Sequence, residues 1–328
     1  MSGFDFAGMT AFWKVHLLLA AGRGPSQADW DGLFSTPGYM ALTASEFSRQ
    51  SFVDLWLLAY RPGGPVPAAG SLSPGAARRL EHYREAAERK AELVRYQGFL
   101  ERDGPGLAER ARQRAFEFLP PGEYPATSGV AFVIFDRDGR GYVPVVLDLL
   151  YAQELGDGLW ATLAHEFHHQ LVFGARGLDV GGPGDKRTDL QWVLDQIHCE
   201  GLADVVSDVP ENPVARHLGT ELAAARAYLA DLDRGLRQPA ESAQDRAELG
   251  AALRKSLRYA GHPAGYLMAD AIRRAFGPRV LASVALDPGD FFALYRRAAL
   301  RTGAGPAVSE EAVRAVREIT GGDPGSGS

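Results

Sequence analysis

The chain has 328 residues, 46% hydrophobic and 23% charged, with a formal net charge of −6 and one cysteine, Cys199. That length and composition allow a sizeable core and exclude collagen-like and disordered classes. The acidic balance argues against a generic nucleic-acid or anionic-membrane binder, and a lone cysteine excludes an internal disulfide framework and fits a reducing compartment.

Residues 1–60 read as helical: Phe12, Val15, Leu18 and Leu19 recur at helical spacing, and a second apolar helix follows Ser45, running from Glu46 to Tyr60 until Pro62-Gly63-Gly64-Pro65 stops it. The apolar run from Val15 to Ala21 is short, has Asp5 upstream and is preceded by Lys14 as its only basic residue. Ala20-Ala21-Gly22 imitates a cleavage site, but the basic start of a secretory signal is missing. The cytoplasm is therefore the expected address, with export as the alternative. No segment has the length of a membrane-spanning helix. Residues 61–75, rich in Pro, Gly, Ala and Ser, read as an exposed loop. Residues 76–119 are charged and alanine-rich and predict two surface helices broken near Asp103-Gly104-Pro105-Gly106.

The pattern then changes. Val130 to Phe135 is a strand signal, Asp136 to Gly141 a turn, and Tyr142 to Leu150 a second strand that Pro144 pushes toward an edge or a bulge. The chain reads as helical again to about residue 230, polar and looped over 231–247, and helical at 248–259, 264–276, 290–301 and 308–318. The last eight residues have linker composition. The expected fold is α+β and predominantly helical. A helical N-terminal region would span 1–125, a core of helices beside a small antiparallel sheet 126–320, and a flexible tail 321–328.

Chemistry concentrates in Leu159 to Leu171, which contains H-E-x-x-H. On a helix, residues four apart lie about 40° apart around the axis, so His165 and His169 can reach one ion through ring nitrogens. Glu166 stands on the flank of that face, placed to handle a proton without ligating. Leu159, Leu163, Phe167 and Leu171 form the opposite, apolar face, which would anchor the helix. A catalytic zinc takes three protein ligands and keeps one position open. Downstream, Glu200 and Asp204 lie one turn apart, with Leu202, Ala203, Val205 and Val206 around them. Glu200 is the expected third ligand, and Asp204 an outer partner that fixes the imidazole of His165 or His169. His168, His198, Cys199, Asp189 and Asp195 rank below it.

His165-Glu166-x-x-His169 followed by Glu200-x-x-x-Asp204 resembles the gluzincin metallopeptidases. More narrowly, the chain resembles a bacterial family of zinc-dependent peptidases of unassigned function. Three stretches carry this narrower likeness: Trp30-Asp31-x-Leu33-Phe34-x-Thr36-x-Gly38-Tyr39, the metal motifs, and Gly261 to Ala269 with Phe276-Gly277 and Phe292-x-x-Tyr295. The resemblance implies a zincin-like helical core and one Zn2+ per chain. It also implies a Tyr or His that donates to the oxyanion of a tetrahedral intermediate, here Tyr266 or His262, a contribution of about 3 kcal/mol where it exists.

The expected activity is hydrolysis of a peptide or protein substrate with Glu166 as general base, and a strand at 129–136 or 142–150 could pair with the extended peptide. Two rivals differ in class: a catalytically silent, zinc-stabilised binding module, and a metal hydrolase acting on a small amide.

Overall fold

The computed structural model describes residues 3–63, 71–178, 185–238 and 242–321. The expected loop at 61–75 lies partly, and the tail at 321–328 almost wholly, outside the described residues. The order is β1 (Phe4–Asp5), α1 (Ala7–Ala20), α2 (Gln27–Phe34), α3 (Pro37–Ser45), α4 (Arg49–Tyr60), α5 (Pro74–Glu88), α6 (Lys90–Phe116), β2 (Val130–Val133), β3 (Gly139–Arg140) and β4 (Val145–Asp148). Helices follow: α7 (Leu149–Leu155), α8 (Leu159–Arg176), α9 (Asp189–Ser207), α10 (Val214–Leu218), α11 (Glu221–Arg237), α12 (Ala243–Ser256), α13 (His262–Phe276), α14 (Pro278–Ala282), α15 (Pro288–Thr302) and α16 (Glu310–Thr320). The fold is thus α+β and predominantly helical. Among the described residues no helix is long and apolar enough to cross a membrane.

The chain divides into two compact units. One comprises Met1–Ala111, Ala126–Gln170 and Asp179–Asp185; the other comprises Arg112–Pro125, Leu171–Leu178 and Lys186–Ser328.

The first unit holds the sheet, in the order β1-β2-β4-β3. It is mixed, not antiparallel as expected: β1 and β4 both run parallel to β2, and only β3 pairs antiparallel, with β4. The cause is the short crossover between β2 and β4. The chain passes beyond β4, forms β3 at the edge, and turns back to fill the position beside β2. Every residue of β2 and β4 is buried, as befits strands with neighbours on both sides. Neither can therefore accept an added peptide strand, which corrects that expectation. Pro144 precedes β4 and takes no part in the ladder. The segment expected as strand up to Leu150 turns helical at Leu149 because the Asp148 carboxylate caps α7 through the Tyr151 N–H at 2.9 Å.

Helices α1 and α3 lie close on β2 because each brings a glycine to it. A Cβ on Gly8 or Gly38 would stand 2.9 or 2.7 Å from Val133 Cγ1. The Tyr39 hydroxyl donates to the Ile134 carbonyl at 3.0 Å and accepts from its N–H at 3.2 Å, closing the end of β2. Trp56 is fully buried at the centre of an aromatic cluster with Phe12, Trp30, Phe34, Tyr39 and Phe52. The apolar run at Val15 lies within α1, where Val15 and Leu19 enter the core. The two helices expected over 76–119 meet at Arg89, and α6 continues through Pro105. The expected break is overridden by packing: a Cβ on Gly104 would stand 2.3 Å from the Phe4 ring, so glycine is what lets that ring lie against the helix.

The second unit gathers around α9, which packs against α10, α12, α13, α15 and α16. The stretch 231–247 is mostly helix, not loop, since α11 continues to Arg237 and Ser242 caps α12 with a capping box to Asp245. Residues 239–241 lie outside the described residues.

One buried ion pair ties the first unit together. His82 Nε2 lies 2.8 Å from Asp148 Oδ2, and the same oxygen accepts the Phe135 N–H at 2.8 Å. Burial pulls the imidazole pKa down, but the charge and hydrogen bond of Asp148 outweigh it and leave it raised. A raised folded-state pKa contributes stability that is full below the unfolded value and is lost as pH rises through the folded one. Urea unfolding should therefore show His82→Ala less stable by about 3–5 kcal/mol at pH 6. The gap should narrow as pH rises past the raised pKa; a gap that is absent or independent of pH would remove the ion pair from the account.

Candidate metal centre

Helix α8 follows a glycine-flanked turn at Gly156–Gly158, and Leu159, Leu163, Phe167 and Leu171 are all essentially inaccessible, as their spacing predicts. With that face fixed, His165, Glu166 and His169 project together, each less than a tenth exposed. The two Nε2 atoms converge to 3.0 Å, with the rings at 80°. Ligands about 2.0–2.1 Å from a tetrahedral zinc stand roughly 3.3–3.4 Å apart, so this pair fits an ion with a few tenths of an ångström of adjustment. His168, on the same helix, is fully buried.

Strand β3 passes directly beside these residues. A Cβ on Gly139 would stand 2.8 Å from Glu166 Oε1, and one on Gly141 would stand 2.8 Å from His169 Cβ. Glycine at both positions lets bare backbone run against the H-E-x-x-H turn. Gln170 secures the arrangement. Its Nε2 donates to Ser128 Oγ at 2.7 Å and to the Tyr142 carbonyl, and its Oε1 accepts the Ser128 N–H at 3.3 Å.

The second unit holds the carboxylates. Helix α9 starts at a Thr188 capping box and carries Glu200 and Asp204 one turn apart. Helix α13 lies so close that a Cβ on Gly265 would stand 2.2 Å from the Ile197 carbonyl oxygen, and one on Gly201 would stand 2.3 Å from that of Gly265. Such backbone contact is available only to glycine. Gly261, at φ +101°, caps α13 against Gln196 and Ile197, and Tyr259 and Ala260 before it also hold positive φ. Non-glycine residues rarely adopt that conformation, and such strain clusters at functional sites.

This crossing sets His262 over α9. Its Nδ1 lies 3.0 and 3.1 Å from the two Asp204 oxygens, and its Nε2 lies 3.3 Å from Glu200 Oε2. One turn on, the Tyr266 hydroxyl donates to Asp208 Oδ2 at 3.1 Å, an oxygen that Arg273 also engages at 2.9 Å. Burial and nearby carboxylates push the Tyr266 pKa well up. Within this unit its proton is thus committed to Asp208.

The lower-ranked candidates are accounted for here. Asp195 is buried and paired with Arg176 at 2.7 Å and Arg187 at 3.2 Å, and Asp189 with Arg254 at 2.6 Å. His198 Nε2 bonds the Val284 carbonyl at 3.1 Å. Cys199 is buried, and burial pushes its thiol up to about 12. The sequence reading missed Asp208 and the pairing of His262 with Asp204. Signals for both were present: Asp208 extends the Glu200, Asp204 spacing by one more turn, and Gly201 in mid-helix together with Gly261-x-x-x-Gly265 announces a close helix contact.

Residues 30–303, most of the chain, match the model of the family described as "Putative zinc dependent peptidase (DUF5700)", and the chain belongs to that family. The match opens at Trp30, the first residue of the motif that seats α2 and α3. No curated protein and no solved structure matches the chain.

Two glycine substitutions should separate contact from propensity. Gly265→Ala must push α9 from α13 and cost about 1–3 kcal/mol or more. Gly106→Ala, where a Cβ meets nothing within 4 Å, should be neutral or stabilising by up to about 1 kcal/mol. Equal effects in denaturant unfolding would argue against the close crossing.

Proposed function

We propose that the chain is a gluzincin-type zinc metallopeptidase in which His165, His169 and Glu200 hold one zinc per chain and Glu166 is the general base. The observation that carries this reading is local to α8: two imidazole Nε2 atoms converge at 3.0 Å while the neighbouring Glu166 carboxylate turns instead to the bare backbone of Gly139. Family membership and the Glu200, Asp204 spacing support it further.

When bound, zinc lowers the pKa of a water toward about 7 and polarises a carbonyl. Glu166 then accepts the proton of the attacking water and delivers it to the departing amine nitrogen. Among the described residues strand β3 has a ladder partner on one side only, which makes it the edge of the sheet nearest this base. An extended peptide added along β3 would run its backbone past Glu166. An edge strand suits an extended chain better than a small amide, and a carboxylate aimed at backbone beside the histidine pair has no use in a silent module.

Glu166→Gln should bind zinc as tightly as the native protein while losing about 100- to 10,000-fold in cleavage of a quenched peptide library. Loss of zinc in that variant would make Glu166 a ligand and overturn the assignment of roles.

A further inference from the structure

We propose that His262 is itself a metal ligand, a third imidazole of the centre, held for that task by Asp204; the inference rests on the zinc reading above and adds a residue to it. The α9–α13 crossing brings together a carboxylate oxygen of Glu200 and Nε2 of His262, 3.3 Å apart. That separation is long for a charge-assisted hydrogen bond, which is about 2.7–2.9 Å, and equals the spacing of two ligands that share a tetrahedral zinc, roughly 3.3–3.4 Å.

The other ring nitrogen decides the tautomer. Nδ1 faces both oxygens of Asp204, at 3.0 and 3.1 Å, so the ring proton sits on Nδ1 and is donated to the carboxylate. Nε2 faces Glu200 Oε2. This carboxylate–imidazole arrangement is how ligating histidines are oriented and made more basic.

The chain invests in this placement. His262 is the first residue of α13, delivered by three successive residues at positive φ and by backbone contact that only Gly201, Gly261 and Gly265 permit. Glu200 and His262 then each give one ligand atom to the ion. His262 is then the ligand best placed to yield to substrate, since its side chain is 33% exposed against 13% for Glu200.

X-ray absorption at the zinc edge of the full-length, zinc-loaded protein tests this without any substitution. Three imidazoles in the zinc shell are expected, falling to two in His262→Ala. Competition with a chelator of known affinity should show His262→Ala binding zinc at least 100-fold more weakly, and Asp204→Asn about 10- to 100-fold more weakly. Circular dichroism confirms that each variant is folded. Two imidazoles in the native protein, with unchanged affinity in His262→Ala, would overturn this proposal and leave the zinc reading intact. A zinc shell without imidazole would overturn both.

Discussion

Gly201 and Gly265 meet backbone to backbone, and the chemistry of the second unit follows from that contact. A methyl group on either residue would have to occupy the position of a main-chain atom. With glycine at both, α9 and α13 approach closely enough for short side chains to bridge them in pairs one turn apart: Asp204 with His262, then Asp208 with Tyr266. The same approach sets the Nε2 of His262 beside Glu200. Without it, the carboxylates of α9 would be solvated groups on a helix face.

The first unit uses the same device with different elements. Gly139 and Gly141 let an edge strand pass within contact of Glu166 and His169, so the strand meets α8 through bare main chain. In each unit the candidate ligands thus stand on regular structure whose close approach is fixed by glycine. Rigid elements of this kind hold ligand geometry better than loops do.

Helix α8 was legible in the sequence because its signal is local. His165, Glu166 and His169 lie within one and a half turns, and the apolar residues behind them repeat at i, i+4. Strands β2 and β4 were legible because burial on both faces makes them continuous apolar runs. Their direction was not, since such a run carries no polarity and parallel pairing is set by where the crossover returns. β1 and β3, two residues each, are too short to show a period. Helix α6 runs through Pro105 because the Phe4 ring, a hundred residues away, packs on Gly104. The pairing of His262 with Asp204 spans 58 residues, and spacing within one segment cannot reveal it.

The proposed zinc site is tested most directly by native mass spectrometry of the zinc-loaded protein, comparing the native chain with His165→Ala and Glu200→Ala. The account predicts one zinc per native chain and loss of that zinc in either variant. Full retention of zinc in Glu200→Ala, or two zinc ions per native chain of which each variant loses one, would contradict it.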